Sequence, residues 1–404
     1  MPAPRSSGRR AEPAFRAFAV TAPGLEALCA AELRPLLDRP PAPEPGGVAF
    51  DATAADLFDA NLWLRTASRV TVRLAEFEAT SFRDLERLAR QVPWETVARR
   101  DQPLRLRVTC RKSRLYHSDA VAERVAAAVA YRLGGETPYR TTGGEADDAD
   151  DEDGEPREQL LVVRFLHDRC TVSADSSGAL LHRRGYRQAV GRAPLRETLG
   201  AALLLAAGYD GSGPLVDPLC GSGTIPIEAA LIARRLAPGR RRRFAFERWP
   251  AFDESLWAEL LARADAVARP RAPHAILGSD RDAGVVEAAA ANAERAGVAG
   301  DVELAQHVLS AAPAPLGPGW VVTNPPYGKR VGERHGPAGD DGPVRDLWAR
   351  LGQWARVRCP GWQLALLAPD PALARQLALP LRSALRTANG GLPVHVLGGT
   401  VPRG

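Results

Sequence analysis

Four short apolar segments in the second half of the chain constrain its fold more than any other feature. They read PLVD, AILGSD, WVVTN and QLALLAPD, and helix-like segments separate each from the next. Strands that are apolar along their whole length are typical of a parallel sheet whose two faces are both covered by helices. The sequence therefore predicts a doubly wound α/β domain with a mostly parallel sheet.

The last part of the chain predicts one exception to parallel pairing. LRSALRTANGGLPVHVLGG contains two strand-like segments joined by Asn-Gly-Gly, a combination that favours a tight hairpin. Because the strands of a hairpin pair antiparallel, we expect the sheet to end with an antiparallel strand.

The first half of the chain predicts a separate α+β domain. A short strand and an amphipathic helix follow the N-terminal tail, and strands and helices then alternate from Val48 to about Val172. Residues 1–14 are basic and are expected to form a disordered tail. Residues 144–155 hold eight acidic side chains and no basic one, so we expect a disordered loop that buries no apolar surface.

The composition limits the class of protein. The chain has 404 residues, of which 45% are hydrophobic and 25% charged, and this is enough for two or three domains. No apolar run reaches the roughly 18 residues that a membrane-spanning helix needs, so we predict no membrane association. Five scattered cysteines form no Cys-x-x-Cys pair, which indicates reduced thiols, a cytoplasmic protein and no structural zinc.

The net charge favours a polyanionic partner without establishing one. It is formally +5, and the acidic loop contributes eight negative charges to that balance. A surplus of arginine outside the loop is typical of nucleic-acid-binding proteins, and an arginine-rich composition bias explains it equally well. The segment ARRLAPGRRRRF, residues 233–244, likewise predicts either phosphate contacts or a flexible basic loop.

A glycine turn follows the first of the four apolar segments. In LVDPLCGSGT the strand ends at Asp217, Gly221 and Gly223 form the turn, and a helix is expected to start near Thr224. Glycines let the backbone approach a ligand, and the N–H groups of a helix start can bind it. A tight strand-to-helix connection is the alternative. Asp280 ends the next strand, where a carboxylate can bind a ribose or cap the following helix.

The third apolar segment ends in Asn-Pro-Pro-Tyr. Asn324 and Pro325 each precede a proline, which favours extended backbone, and Pro325 and Pro326 fix their own φ. The strand end therefore projects an amide oxygen, a proline carbonyl and the Tyr327 ring from the carboxyl edge of the sheet, although a bare turn remains the alternative. Two acceptors beside an aromatic ring suit a flat heterocycle with an exocyclic amine.

These motifs resemble those of class I S-adenosylmethionine-dependent methyltransferases that act on exocyclic amines. The resemblance implies a Rossmann-like domain, S-adenosylmethionine as cofactor, no metal, and Asn324, Pro325, Pro326 and Tyr327 as the catalytic motif. His307 stands where many relatives have an aspartate near the adenine amino group. The implied cofactor-binding residues are Asp217, Pro218, Cys220, Gly221, Ser222, Gly223, Thr224, Asp280, Arg281 and His307.

The first half resembles the THUMP RNA-binding domain and its ferredoxin-like lead-in, through FAVTAPGLEALCAAEL and LRVTCRKSRLYHSDAVAERV. LHRRGYR and APLRETLGAALL are similar to the junction of the bacterial THUMP methyltransferases that make N2-methylguanosine in 23S rRNA, whose close relatives act on tRNA. The resemblance implies a lead-in at 15–65, a THUMP domain at 66–178, a methyltransferase domain at 179–404 and an RNA partner. RNA contacts are expected at Arg111, Lys112, Arg114, His117, Arg183, Arg184 and Arg187, with a solvated basic face as the alternative.

Other functions fit parts of the sequence. Asn-Pro-Pro-Tyr also occurs in methyltransferases of DNA adenine N6 and of a protein glutamine amide, both of which the THUMP-like half disfavours. An RNA-binding assembly factor with an idle methyltransferase site is a further alternative. No obligate protein partner is evident from the sequence.

Overall fold

The computed structural model describes residues 14–143, 158–187, 195–327 and 342–403. Two sheets organise these residues. Almost all of the predicted basic tail and the whole of the predicted acidic loop lie outside the described residues. No helix in the described part of the chain is long and apolar enough to cross a membrane.

The first sheet has eight strands in the described residues, and four α-helices lie between these strands in the chain, as expected of an α+β domain. β1 pairs antiparallel with β3 on one side and with β4 on the other, so the predicted lead-in and the segment after it share one sheet. The order across the sheet is β2-β3-β1-β4-β8-β7-β5-β6. The elements are β1 Phe15–Thr21, α1 Glu26–Leu33, β2 Ala42–Glu44, β3 Gly47–Ala52, α2 Ala54–Trp63, β4 Ala67–Glu78, α3 Phe82–Ala89, β5 Leu104–Arg111, α4 Ser118–Leu133, β6 Tyr139–Thr141, β7 Gln159–Leu166 and β8 Arg169–Asp175.

The second sheet has seven strands in the order β11-β10-β9-β12-β13-β15-β14. The four apolar segments form β9, β10, β12 and β13, which pair in parallel as predicted. The elements are α5 Glu197–Ala206, β9 Leu215–Asp217, α6 Thr224–Ala233, α7 Glu254–Ala266, β10 Ile276–Asp280, α8 Ala283–Ala296, β11 Glu303–Gln306, β12 Trp320–Thr323, α9 Gly342–Arg358, β13 Gln363–Ala368, α10 Pro371–Ala374, β14 Arg382–Asn389 and β15 Leu392–Thr400.

The predicted hairpin is confirmed, and β15 is antiparallel to both of its neighbours. Gly390 and Gly391 form its turn with φ values of 55° and 84°. This left-handed region is accessible to glycine at little cost, and two such residues in succession give the turn that matches strand twist.

The strand order reverses direction at β9. The chain proceeds from β9 to β10 and β11 on one side, and then returns to place β12 and β13 on the other. At such a switch point the connections after adjacent strands diverge, which opens a crevice at their carboxyl ends. The glycine turn follows β9 and the Asn-Pro-Pro-Tyr motif follows β12, so both lie at this crevice.

Residues 234–267, which we name the arginine-rich arm, join the two domains. Phe244, Phe246 and Trp257 of the arm are buried in the same apolar core as Phe58 of α2. The rings of Phe58 and Phe246 stack with their centroids 4.2 Å apart. The arm is thus part of the core of the N-terminal domain, although its sequence lies within the second domain.

The arginines of the arm are largely engaged within the protein. Arg234 binds Asp301 at 3.1 Å, Arg240 binds Asp265 with two hydrogen bonds of 2.8 Å, and Arg243 binds Glu247 at 2.9 Å. Arg241 donates to the carbonyl of Arg295, and Arg242 donates to that of Leu180. The interpretation as a flexible basic loop is therefore wrong, because the segment is an ordered contact between domains.

Candidate active site

The glycine turn has the backbone shape that the sequence predicted. Gly221 and Gly223 have φ values of 50° and 83°, and α6 begins at Thr224. A Cβ atom on Gly223 would lie 2.9 Å from the Cβ of Ala289, whereas one on Gly221 would meet no atom within 4 Å. Gly223 is therefore required for packing against α8, and Gly221 leaves the outer side of the turn open to a ligand.

Asp280 connects the glycine turn to β10. Its Oδ2 accepts a hydrogen bond of 3.1 Å from the Gly221 N–H, and its Oδ1 accepts one of 3.1 Å from the Asp282 N–H. The N-cap of α8 is Asp282, which accepts from the Gly284 N–H at 2.9 Å. The helix-cap interpretation of Asp280 is thus wrong, and its carboxylate lies beside the turn.

The other predicted cofactor residues lie around these two groups. The N–H of His307 donates to the carbonyl of Asp280 at 2.9 Å, which places the half-buried His307 at the end of β11. Arg281 is exposed, Pro218 and Cys220 are buried, and Ser222 is half-buried.

Asp217 is a buried carboxyl under the turn. It is 1% exposed, and its Oδ1 accepts from the Leu219 N–H at 3.2 Å. Burial raises its pKa to about 7, even though the Leu219 N–H favours the carboxylate.

The Asn324–Tyr327 motif is held by two donors that are distant in sequence. The indole N–H of Trp348 donates to the carbonyl of Pro326 at 3.0 Å. The amide N–H of Asn389 donates to the Tyr327 hydroxyl at 2.7 Å. Burial raises the pKa of Tyr327, and the Asn389 bond opposes that shift. Neither of these two hydrogen bonds involves the Asn324 side chain.

The Asn324 Oδ1 atom is buried and accepts no hydrogen bond from any described group. An unpaired buried acceptor costs about 1–3 kcal/mol. An acceptor kept in this state at the edge of a ligand crevice is suited to a donor that arrives with a substrate.

Two of the predicted RNA contacts are corrected by the structure. Arg184 is 5% exposed, and its guanidinium donates to the carbonyl of Arg65 at 2.7 Å and lies 3.4 Å from Glu228. Arg187 donates to Thr224 Oγ1 at 2.6 Å. Both guanidinium groups are directed into the protein, because buried carboxylates and carbonyls lie on that side of the junction. Arg183 is half-buried at the same junction.

The remaining predicted RNA contacts lie together on the surface. Arg111, Lys112, Arg114 and His117 are exposed between the end of β5 and the start of α4. Tyr116, which the sequence analysis missed, is 68% exposed there, and its ring centroid lies 4.1 Å from that of His117. Its position among four basic residues in LRVTCRKSRLYHSDAVAERV was the available signal.

Trp348 and Asn389 were likewise not predicted from the sequence. Nothing near Trp348 in the sequence distinguishes it from a core residue, and it is indeed fully buried. Asn389 was recognised as a turn residue, but only the folded sheet brings that turn to Tyr327.

The fold and the crevice define a class I methyltransferase. Three features of the second domain are those of proteins that bind S-adenosylmethionine. They are the strand order with antiparallel β15 between β13 and β14, the open glycine turn after β9 and the carboxylate after β10. The residues fit this cofactor, since Asp280 can accept ribose hydroxyls and the turn leaves room for a ligand against its backbone.

Comparison with known proteins agrees with this class. A family model described as the RMKL-like methyltransferase domain matches residues 184–392, and one described as the RlmL ferredoxin-like domain matches residues 16–71. The chain belongs to the RMKL-like methyltransferase family.

Two curated relatives span nearly the whole chain. The protein slr0064 of Synechocystis sp., provisionally named an RNA methyltransferase, is 34% identical over 94% of this chain and 95% of its own length. The ribosomal RNA large subunit methyltransferase K/L of Syntrophotalea carbinolica is 36% identical over 94% of this chain. The chain spans about half of that second relative, 53% of its length.

A solved structure shares the same architecture. SMU.472, provisionally named a methyltransferase and solved as a complex with SAH, is 29% identical with a TM-score of 0.81. The match covers 95% of this chain and 97% of that chain.

Proposed function

We propose that the protein transfers a methyl group from S-adenosylmethionine to the exocyclic N2 of a guanosine in structured RNA, with 23S rRNA as the favoured substrate. The observation that carries the proposal is the buried Oδ1 atom of Asn324 at the crevice, which accepts no hydrogen bond within the part of the chain that the structure describes. The same arrangement serves a tRNA guanosine equally well, and tRNA is the second candidate substrate.

The second acceptor for the amine is the carbonyl of Pro325. The carbonyl of Pro326 is occupied by Trp348, whereas no hydrogen bond within the described residues reaches that of Pro325. Asn324 Oδ1 and the Pro325 carbonyl can therefore accept the two N–H groups of one amine. Tyr327, fixed by Asn389, offers its ring for stacking with the base.

The proposed role of the Asn324–Tyr327 motif is to accept hydrogen bonds from both N–H groups of the amine. The lone pair of an amino group on guanine is delocalised into the ring, which makes the nitrogen a poor nucleophile. Two fixed acceptors direct the lone pair out of the ring plane and stabilise the positive charge that develops on nitrogen. S-adenosylmethionine, when bound, would supply the methyl carbon that this nitrogen takes from sulfur, and the sulfur would keep the electron pair of the broken bond. The nitrogen, positively charged after the transfer, then releases one N–H proton to water, so no strong base is required. Positioning of the two reactants can lower the activation free energy of such a reaction by about 7–11 kcal/mol.

The RNA part of the proposal rests on the N-terminal half of the chain. One relative is named for ribosomal RNA and another for RNA, and the first half resembles a THUMP domain. The exposed cluster Arg111, Lys112, Arg114 and His117 beside Tyr116 combines cations for phosphates with an aromatic ring for stacking on bases. The THUMP-like half disfavours DNA adenine and protein glutamine as substrates, because a DNA enzyme would need a base-reading domain and the glutamine enzymes have no RNA-binding domain.

A substitution at Asn324 tests whether the protein is an active enzyme or an assembly factor with an idle methyltransferase site. We expect a strain that lacks this protein to lose one N2-methylguanosine, in rRNA or in tRNA, and the wild-type chain to restore it. Asn324→Ala should fail to restore it while binding S-adenosylhomocysteine with unchanged affinity, because Asn324 is assigned to the amine and not to the cofactor. Mass spectrometry of purified rRNA and tRNA gives the modification, and calorimetry gives the affinity. Restoration by Asn324→Ala would refute the proposed role.

The basic cluster predicts a salt-dependent interaction. Changing Arg111, Lys112 and Arg114 together to glutamine should weaken binding to 23S rRNA. It should also reduce the slope of log affinity against log salt by about 0.7–0.9 for each phosphate that is no longer neutralised. Arg243→Gln, which removes an exposed arginine paired with Glu247, is the matched control. An unchanged slope in the triple variant would exclude this cluster from the interface.

A further inference from the structure

The junction segment of residues 184–187 lies behind the glycine turn and contacts it directly. The guanidinium of Arg187 donates to Thr224 Oγ1 at 2.6 Å and to the carbonyl of Leu195 at 2.7 Å. Its Nε lies 3.4 Å from Glu197, so one side chain binds the first residue of α6, the residues before α5 and the start of α5. This is the side chain that sequence reasoning assigned to RNA.

A second route runs through α8. The carbonyl of Tyr186 accepts from Arg295 Nε at 2.7 Å, and Arg295 also donates to Asn292 Oδ1. The amide of Asn292 then donates to the carbonyl of Ser222, in the glycine turn, at 3.0 Å. Asn292 is fully buried, so water cannot replace it as the donor.

The junction is itself anchored to the N-terminal domain. Arg184 donates to the carbonyl of Arg65, and Arg65 donates to that of Leu236 in the arginine-rich arm at 2.7 Å. Glu228 of α6 is fully buried between them, 3.4 Å from Arg184 and 3.9 Å from Arg65. Removing one partner of such a buried group is costly because it leaves a buried charge uncompensated, so this anchor stabilises the contact between the junction and the N-terminal domain.

We propose that Arg187 and Asn292 are positioning residues of the cofactor site, which hold Thr224 and the Ser222 carbonyl so that the glycine turn is preformed for S-adenosylmethionine. Arg295 completes the set by orienting Asn292. None of the three is required to touch the cofactor. When the turn is preformed, cofactor binding does not have to include the free-energy cost of ordering the turn. Removing the Arg187–Thr224 or the Asn292–Ser222 hydrogen bond should therefore weaken cofactor binding.

The sharpest test separates donation by Asn292 from the volume of its side chain. Asn292→Asp keeps an acceptor for Arg295 and nearly the same shape, but it has no N–H for Ser222. Calorimetry of the full chain with S-adenosylhomocysteine should give an affinity at least about tenfold lower for this variant, which corresponds to about 1.4 kcal/mol. Arg241→Gln is the control, because Arg241 contacts the carbonyl of Arg295 on the same helix and not the turn.

The Arg187–Thr224 hydrogen bond is tested by a double-mutant cycle. Arg187→Lys keeps the charge beside Glu197 and loses the paired donation, and Thr224→Val removes the acceptor. The two changes together should weaken S-adenosylhomocysteine binding no more than the stronger single change, since they break one interaction. Additive losses would exclude the Arg187–Thr224 hydrogen bond as the cause.

Steady-state kinetics distinguish positioning from damage to the fold. For Asn292→Asp and Arg187→Lys we expect the KM for S-adenosylmethionine to rise while kcat at saturating cofactor stays near the wild-type value. A merely structural defect would lower kcat through loss of folded protein and leave the affinity of the remainder unchanged. Wild-type affinity for S-adenosylhomocysteine in both variants would overturn the proposal. This result would not affect the role of Asn324, which is tested separately through methyl transfer.

Discussion

At the scale of single residues, the Asn324–Tyr327 motif depends on two kinds of constraint. Its prolines restrict the backbone locally, because each fixes its own φ and restricts the residue before it. Trp348 and Asn389 then fix the Pro326 carbonyl and the Tyr327 hydroxyl from other elements. The local constraint is visible in the sequence, whereas the two donors are supplied by α9 and the β14–β15 hairpin.

The Asn389 bond gives a prediction at this scale. Asn389→Ala and Tyr327→Phe should each lower kcat for methyl transfer by about twofold to tenfold, because a neutral hydrogen bond contributes about 0.5–1.5 kcal/mol. The double variant should be no slower than the slower single variant, since both changes remove the same bond. Ser383→Ala, on the same hairpin, should retain the wild-type rate. Single-turnover rates of the wild type and the four variants on rRNA from the deletion strain provide the measurement, and additive effects would contradict the prediction.

At the scale of elements, the arginine-rich arm shows how composition misleads. Six arginines between 233 and 244 predicted phosphate contacts or a flexible loop, yet the neighbouring aromatic residues determine what the segment does. Gly239 donates to the carbonyl of Leu62 at 2.9 Å, Phe246 donates to that of Ser176 at 3.1 Å, and Phe246 is fully buried. The arm is therefore stabilised by burial in the core of the N-terminal domain.

Truncating the central aromatic of the arm should destabilise the whole protein. Phe246→Ala is expected to lower the free energy of unfolding by about 3–5 kcal/mol, because a buried phenylalanine is replaced by a cavity. Phe252→Ala, which removes a half-buried ring 5.8 Å from Phe58, should have a smaller effect. Urea unfolding followed by tryptophan fluorescence measures both. Equal losses for the two variants would show that the arm is not docked through Phe246.

At the scale of the whole molecule, two buried acids make stability depend on pH. Burial raises the pKa of Asp217 from 3.8 to about 7, and that of Glu197 from 4.5 to about 7. A carboxyl with a raised pKa binds its proton more tightly in the folded state than in the unfolded state. Its stabilising contribution is complete below the unfolded pKa and is lost as the pH rises through the folded value.

Asp217→Asn should remove one part of this dependence. The free energy of unfolding of the wild type should fall relative to that of the variant as the pH rises from about 4 to about 7, the window between the unfolded and folded pKa values of Asp217. Asp265→Asn is the control, because Arg240 lowers the pKa of this exposed acid and moves its window to lower pH. Urea titrations across this range give the difference, and a constant difference between wild type and Asp217→Asn would contradict the prediction.

Much of the second domain follows from residues that are close together in the chain. The apolar segments, the glycine turn and Asn-Pro-Pro-Tyr depend on interactions between residues close in the chain, and they predicted β9, β10, β12, β13, the start of α6 and the terminal hairpin. Local chemistry also placed Asp280 beside the turn, because strand ends of a parallel sheet share one edge.

Which polar groups are available to a ligand depends instead on contacts between distant parts of the chain. Arg184 and Arg187 have the same local sequence whether they contact RNA or buried carboxylates, and burial against α6 decided the matter. In the same way, Asn292, Trp348 and Asn389 acquired their hydrogen-bond partners from elements far away in the chain. Desolvation and hydrogen-bond geometry depend on what packs around a group, and a linear pattern of residues does not contain that information.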